Sequence, residues 1–388
     1  VSKVGLVNIG AYALTPTFGQ AGGYPYNNYG GYTQGNTIVS PNINPEITES
    51  IEGGFDFELL KSRITGAFTY YASRTTDQTL PIAISGTSGF TSFLTNTGEV
   101  KNNGIETSVR FVPLRKENGM EITVGANYTY NTNEVVSLAE GLPQLAIATA
   151  GAGGSYAVPG QPFPFLKGAR YNRDPQGRII VDRITGFPSV NATFENLGNT
   201  EPKHRLGMDA TFAFKGFRLA GLFEYRGGFV MYSSVSTGYD FSGAGIRTTY
   251  FNRQRFVVPN SSYLDPATNA YVANTNITTR TGGVDFWTNG PSNTGVAENY
   301  TYSAAFWKLR ELSLSYDLPK SVLGNLKFVK GARISVQGRN LFIWTPDTNI
   351  YTDPEYSAAG QNSNGIGLTT LGNTPPSRFF GGSLSLTF

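Results

Sequence analysis

Residues 120–131 read MEITVGANYTYN and alternate without a break. Met120, Ile122, Val124, Ala126, Tyr128 and Tyr130 fall on one side of an extended chain, and Glu121, Thr123, Asn127 and Thr129 on the other. A repeat of two residues is that of a β-strand with one apolar and one polar face, and no helix accommodates it. The same pattern recurs in SIEGGFDFEL (50–59), RITGAFTYYAS (63–73), GIETSVRFV (104–112), RLGMDATFAF (205–214), FRLAGLFEYRG (217–227), ARISVQGRN (332–340) and GGSLSLTF (381–388). The chain ends on this alternation, with Leu384, Leu386 and Phe388 on one face and Ser383, Ser385 and Thr387 on the other.

Two architectures use such strands. A sandwich buries the apolar face between sheets, whereas a membrane barrel turns it to lipid and keeps a polar lumen. The segments run to about 10–12 residues, the length that crosses a bilayer when tilted and about twice the common length in globular domains. Their connections alternate between short turns at 60–62, 113–119 and 215–216 and long segments at 75–103, 132–203, 230–303 and 345–376. Outer-membrane barrels have this asymmetry, with short periplasmic turns and long extracellular loops. Tyr and Phe number 22 and 26, and charged residues reach only 15%, against roughly a quarter in soluble domains. The expected fold is an all-β, transmembrane antiparallel barrel whose last strand closes an edge. The net charge of +3 is too balanced for a nucleic-acid binder, and with no cysteine there is neither a disulfide framework nor a thiolate metal site. No run of 18 apolar residues exists, so helical spans are excluded, and the opening VSKVGLVNIGAY reads as the middle of a strand rather than a signal peptide. The chain is therefore expected to be a piece of a longer protein.

Candidate sites divide between the strands and the loops. His204 is the only histidine and is expected to be a rim residue, since one imidazole makes neither a metal site nor a catalytic pair. Glu52, Asp56 and Glu58 share a strand face; paired acids serve hydrolysis, but a solvated lumen wall gives the same spacing and is preferred. Asp347, Asp353 and Glu355 offer oxygen ligands for calcium, without the spacing of a dedicated loop. The glycines of GAGGS (151–155) follow no phosphate-binding pattern. Catalytic residues, metals and cofactors are not expected. The segment 230–303 is different, with Tyr239, Tyr250, Phe286 and Trp287 among Asn, Ser, Thr and Gly. Flat aromatic faces beside adaptable hydrogen-bonding groups suit sugar or peptide recognition, although rings that pack the loops together would leave the same sequence.

From about residue 45 onward the chain resembles the SusC-like TonB-dependent transporters of Gram-negative outer membranes. The resemblance rests on TNTGEVKNNGIETSV, RYNRDPQGRIIVD, LGNTEPKHRLGMDATFAFKGFRLAGLFEYRGG, WKLRELSLSYDLPKSVL, ARISVQGRNLFIWT, YTDPEYS and PPSRFFGGSLSLTF in this order. It implies that residues 1–388 are the C-terminal half, about 10–12 strands, of a plugged barrel of about 22 strands. Signal sequence, plug and upstream strands would precede Val1. It further implies active import of oligosaccharides or peptides, energised through TonB, beneath a SusD-like surface lipoprotein docked on 75–103, 230–303 and 345–376. Leu384, Leu386 and Phe388 would meet lipid and signal barrel closure. A structural or scaffolding subunit of a larger outer-membrane complex is the alternative.

Overall fold

The computed structural model describes residues 17–191, 193–280, 284–324, 328–355, 365–372 and 374–388. The opening stretch read as a strand lies outside them. Nine long strands form one antiparallel sheet in sequence order: β1 (Ile47–Leu59), β2 (Ile64–Ala83), β3 (Ser92–Arg115), β4 (Glu121–Leu138), β5 (His204–Phe214), β6 (Phe217–Gly227), β7 (Phe306–Asp317), β8 (Gly331–Trp344) and β9 (Phe379–Thr387). A short strand, Thr37–Val39, adds in parallel to the start of β3.

Register carries the alternation of each strand across the whole sheet. One row of partners runs Leu59, Ile64, Phe111, Val124, Ala210, Gly221, Leu312, Gly338 and Phe380. The neighbouring row, on the opposite face, runs Glu58, Thr65, Arg110, Gly125, Asp209, Leu222, Glu311 and Arg339. Because the side-chain repeat is two, a slip of one residue in any strand would interrupt both rows. Ion pairs lace the polar face, with Arg110 3.7 Å from Asp209 and Arg339 3.0 Å from Glu311. Gly125 leaves room for that carboxylate, since a Cβ would stand 2.3 Å from Asp209 Oδ1 and make it shift. In the last strand Leu384 pairs with Ile334 and Leu386 with Ala332.

The apolar face ends in an aromatic band. Tyr70, Ile105, Tyr130 and His204 are successive register partners, as are Tyr225, Trp307 and Trp344. His204 accordingly stacks on Tyr128 and lies tilted against Tyr130, and its Nδ1 lies 2.8 Å from the Tyr128 hydroxyl. Such rings favour the membrane–water boundary, where one side is apolar and the other wet.

The short turns lie at the opposite end. Lys215 and Gly216 both have positive φ, 47° and 85°, as a two-residue hairpin turn demands. Lys61 and Lys116 lie in turns at this same end, whereas Tyr250, Trp287 and Asp353 lie beyond the far end of the strands.

Strand length departs from expectation. β2, β3 and β4 have 20, 24 and 18 residues, against 11 in each of β5 and β6. At about 3.3 Å per residue β3 spans roughly 80 Å, and a tilted crossing uses only about 9–11 residues. More than half of it therefore stands clear of the apolar band. The segment 75–103, expected to be a loop, is mostly this tall hairpin, and only residues 84–91 connect its strands.

The sheet predicts unequal tolerance on its two faces. Leu312→Arg, in the middle of the apolar face, should cost about 2–4 kcal/mol of barrel stability, while Ser313→Arg on the polar face should cost little. Heat-modifiable gel mobility of the membrane-extracted protein reads the folded fraction. Equal loss in both variants would show that the apolar face does not meet lipid.

Candidate functional site

The three long connections at 139–203, 228–305 and 345–378 pack on one another above the strand ends. Leu166, Tyr232, Ala297, Tyr300 and Leu368 share one buried core, to which each connection contributes. Its backbone frame is a small sheet in which Val230–Ser233 pairs antiparallel with Thr301–Ser303 and parallel with Leu368–Thr369. Tyr232 lies at the centre, its hydroxyl accepting from the Ala152 amide at 3.3 Å. Gly151 and Gly153 make room for that ring, since a Cβ at Gly151 would come within 2.7 Å of the hydroxyl. This is the role of the GAGGS stretch.

A second core joins Val181 and Phe187 to Phe256, Val258 and Phe286. Phe251 stacks on Phe256 with centroids 4.0 Å apart, and Phe286 meets Phe256 edge-on at 5.1 Å. Phe286 is thus buried and its ring serves loop packing, the alternative reading of these aromatics. Trp287 flanks the same core but also lines an open cleft of about 220 Å³ with Phe241, Val284, Thr248, Thr288 and Arg253. Tyr239 packs edge-on against Tyr351 at 4.8 Å, and Tyr250 is 64% exposed. The four candidate rings therefore do not converge: Trp287 lines the cleft, Tyr239 and Tyr250 stand outside its lining, and Phe286 is interior.

The helix Ser234–Ser242 supports the cleft. It is capped by Ser233, whose hydroxyl accepts from the Ser236 amide at 3.2 Å, and it stops at Gly243 in the left-handed region. From its last turn Asp240 accepts from Arg247 at 2.5 Å and from the Tyr300 hydroxyl at 3.0 Å. The Arg247 guanidinium lies over Tyr300 at 4.8 Å and Trp287 at 5.9 Å. Burial pushes the Asp240 carboxyl upward against the pull of Arg247, and it pushes the Tyr300 phenol upward too.

Below the loops, charged groups collect on the polar face near the strand ends. The Lys308 ammonium, only 4% exposed, donates to both Asp353 oxygens at 2.8 and 2.6 Å and to Glu355. Arg310 donates to Glu355 and to Glu224. Arg226 lies 2.5 Å from Glu224 and 3.1 Å from Glu355. Lys308 and Arg310 stand two residues apart and so share the polar face, and a bulge at Arg310, the extra residue opposite β6, keeps Glu311 on that face as well. Asp353 and Glu355 are therefore paired with cationic side chains rather than grouped with one another as oxygen ligands. Asp347 is not part of the cluster, and no metal-ligand group occurs among the described residues. Burial alone would raise the Glu355 carboxyl, but hydrogen bonds from Arg310 and Lys308 hold it at about 2. Glu52, Asp56 and Glu58 lie on the polar face of β1; Asp56 and Glu58 line a wide cavity of about 500 Å³ in the sheet wall, consistent with a solvated lumen.

The family described as "TonB dependent receptor-like, beta-barrel" matches residues 10–198. The TonB-dependent receptor P26 of Formosa agariphila is 24% identical over 401 residues, covering 94% of this chain and 38% of that protein. Receptor P3 of the same organism is 25% identical over 383 residues, covering 90% and 35%. The RagAB peptide transporter has the same fold over 97% of this chain and 38% of its own, with a TM-score of 0.65 at 18% identity. Its closed-closed state gives 0.68 at 17%. Residues 10–198 thus match a receptor-barrel family, and the chain as a whole is similar in sequence to TonB-dependent receptors and in fold to a peptide transporter. It spans 38% of the length of P26 and 35% of P3.

The ionic cluster predicts an acid-labile connection after β8. Glu355 has a depressed carboxyl, so its contribution is complete above about pH 4.5, its ordinary value, and is lost as pH falls toward about 2. Lys308→Ala strands the Asp353 carboxylate and should cost about 3–5 kcal/mol locally. Limited proteolysis should cut 345–355 readily in that variant at pH 7, and in the wild type only after acidification. Resistance in both would show that the cluster does not hold the connection.

Proposed function

We propose that the chain is the C-terminal part of the barrel of a SusC-like importer. It carries oligosaccharides or peptides across the outer membrane of a Gram-negative bacterium, crossing that membrane many times with its strands. The observation that supports this best is the common core of the three long connections. Such segments lose conformational entropy when ordered, and their shared cores at Tyr232 and Phe256 offset it. The result is a preformed rim rather than a set of independent loops. A preformed rim suits a receptor whose ligand is captured outside and handed to a lumen.

On this reading a SusD-like lipoprotein seats on the rim, above the tall β2–β3 hairpin and the connections at 228–305 and 345–378. The cleft beside Trp287 and Phe241 offers the ligand apolar faces, and Thr248, Thr288 and Arg253 offer hydrogen bonds. TonB acts through the part of the polypeptide preceding Val1. The likeness of fold to the RagAB peptide transporter supports the class of machine, not the choice between sugar and peptide.

The test uses the full-length receptor in its native host. Phe241→Ala with Trp287→Ala should lower ligand uptake about tenfold or more while the lipoprotein still copurifies, because the Tyr232 core that joins the three connections is untouched. Dissipating the proton-motive force should stop wild-type uptake. Uptake that survives both treatments would remove the cleft from the ligand path and TonB from the mechanism.

A further inference from the structure

A separate cavity of about 250 Å³ lies between the polar face of the sheet and the connection after β8. Thr200, Glu201, Arg205, Arg226, Phe306 and Ile366 are among its walls. Arg205 and Arg226 are direct register partners on β5 and β6, two like charges facing one another across a strand pair. That placement is unfavourable unless negative groups surround it.

The two arginines are held very differently. Arg226 bonds to Glu224 and Glu355, and its guanidinium lies 5.7 Å over the Phe306 ring. Arg205 bonds through one nitrogen, Nη2, to Glu201, and its side chain is 47% exposed. A guanidinium has five N–H donors in a rigid fork, so Arg205 retains most of its capacity. The cavity floor is apolar, with Phe306 and Phe229 both buried. A charge-assisted bond is strengthened in such surroundings, and a planar fork fits a carboxylate through two parallel bonds.

We propose that this cavity is a subsite for a carboxylate on the imported ligand, received by Arg205 with Arg226 as the fixed second cation. The proposal rests on the import reading for its biological use, but its binding chemistry does not require transport. The carboxylate belongs either to an acidic peptide or to a uronic-acid sugar, which present the same planar group.

The experiment measures binding to the purified full-length receptor, with no energy source, by calorimetry. The probes are tetraglutamate and tetragalacturonate, each against its uncharged counterpart, tetraglutamine and the fully methyl-esterified oligosaccharide. At least one acidic probe should bind the wild type about tenfold or more tightly than its neutral partner, and weaken with rising salt. Arg205→Gln should abolish that preference, bringing the acidic probe down to the affinity of its neutral partner. Arg205→Lys, which keeps the charge without the fork, should fall between, and it carries the test if the glutamine variant loses heat-modifiable mobility. Preference for tetraglutamate identifies a peptide ligand and preference for tetragalacturonate a sugar. Equal binding of acidic and neutral probes, or an undiminished preference in a folded Arg205 variant, would overturn the subsite. Retained acidic-probe binding by a receptor that supports no uptake in cells would sink the import reading and leave the subsite standing.

Discussion

Hydrogen bonding between neighbouring strands is the constraint on which everything else here depends. Inside a bilayer no water replaces a missing backbone partner, so a strand is tolerable only when both neighbours are in register. Register in turn decides which side chains meet lipid. The row from Leu59 through Val124 and Leu312 to Phe380 exists because eight strand pairings agree. Its counterpart row can carry Arg110, Asp209, Glu311 and Arg339 only because the same pairings turn them away from lipid.

Above the apolar band the rules change. β2 to β4 continue as strands, but Leu80, Ile82 and Val100 now pack on a core of Val135 with Leu145 and Ala157 from the connection after β4, and no lipid demands a continuous apolar side. Residues 75–83, TDQTLPIA after Thr75, have lost the clean alternation of MEITVGANYTYN and include Pro81, which discourages a strand assignment. This is why the tall hairpin reads as a loop in the sequence, while the membrane-height part of the same strands is legible residue by residue. Periodicity reports the environment of a strand as much as its existence.

The loops were illegible for a different reason. Composition marks 230–303 as aromatic and amide-rich, yet nothing local distinguishes Phe286 from its neighbour Trp287. The difference arises from Val181 and Phe187, about a hundred residues upstream, which cover one ring and not the other. Asp353 and Glu355 likewise looked like oxygen ligands because their partners Lys308 and Arg310 lie on β7, before an intervening strand. The visible trace of those partners was in WKLREL, where two cations two residues apart fall on the face that should be polar.

The two halves of the structure are joined by charge at one level of the sheet. Arg226, Lys308 and Arg310 rise from the wall, and Glu355 descends from the connection after β8 to meet all three. Removing these groups from water is costly, and their mutual attraction offsets that cost only while the geometry holds. A cluster of this kind adds less to net stability than to definition: it admits one position for the connection relative to the wall. An apolar contact at the same place would tolerate sliding. The cavity beside Arg205 depends on that definition, since its far wall, Pro354, Glu355 and Ile366, belongs to the connection so fixed. The connection and the sheet wall are thereby held in one relative position.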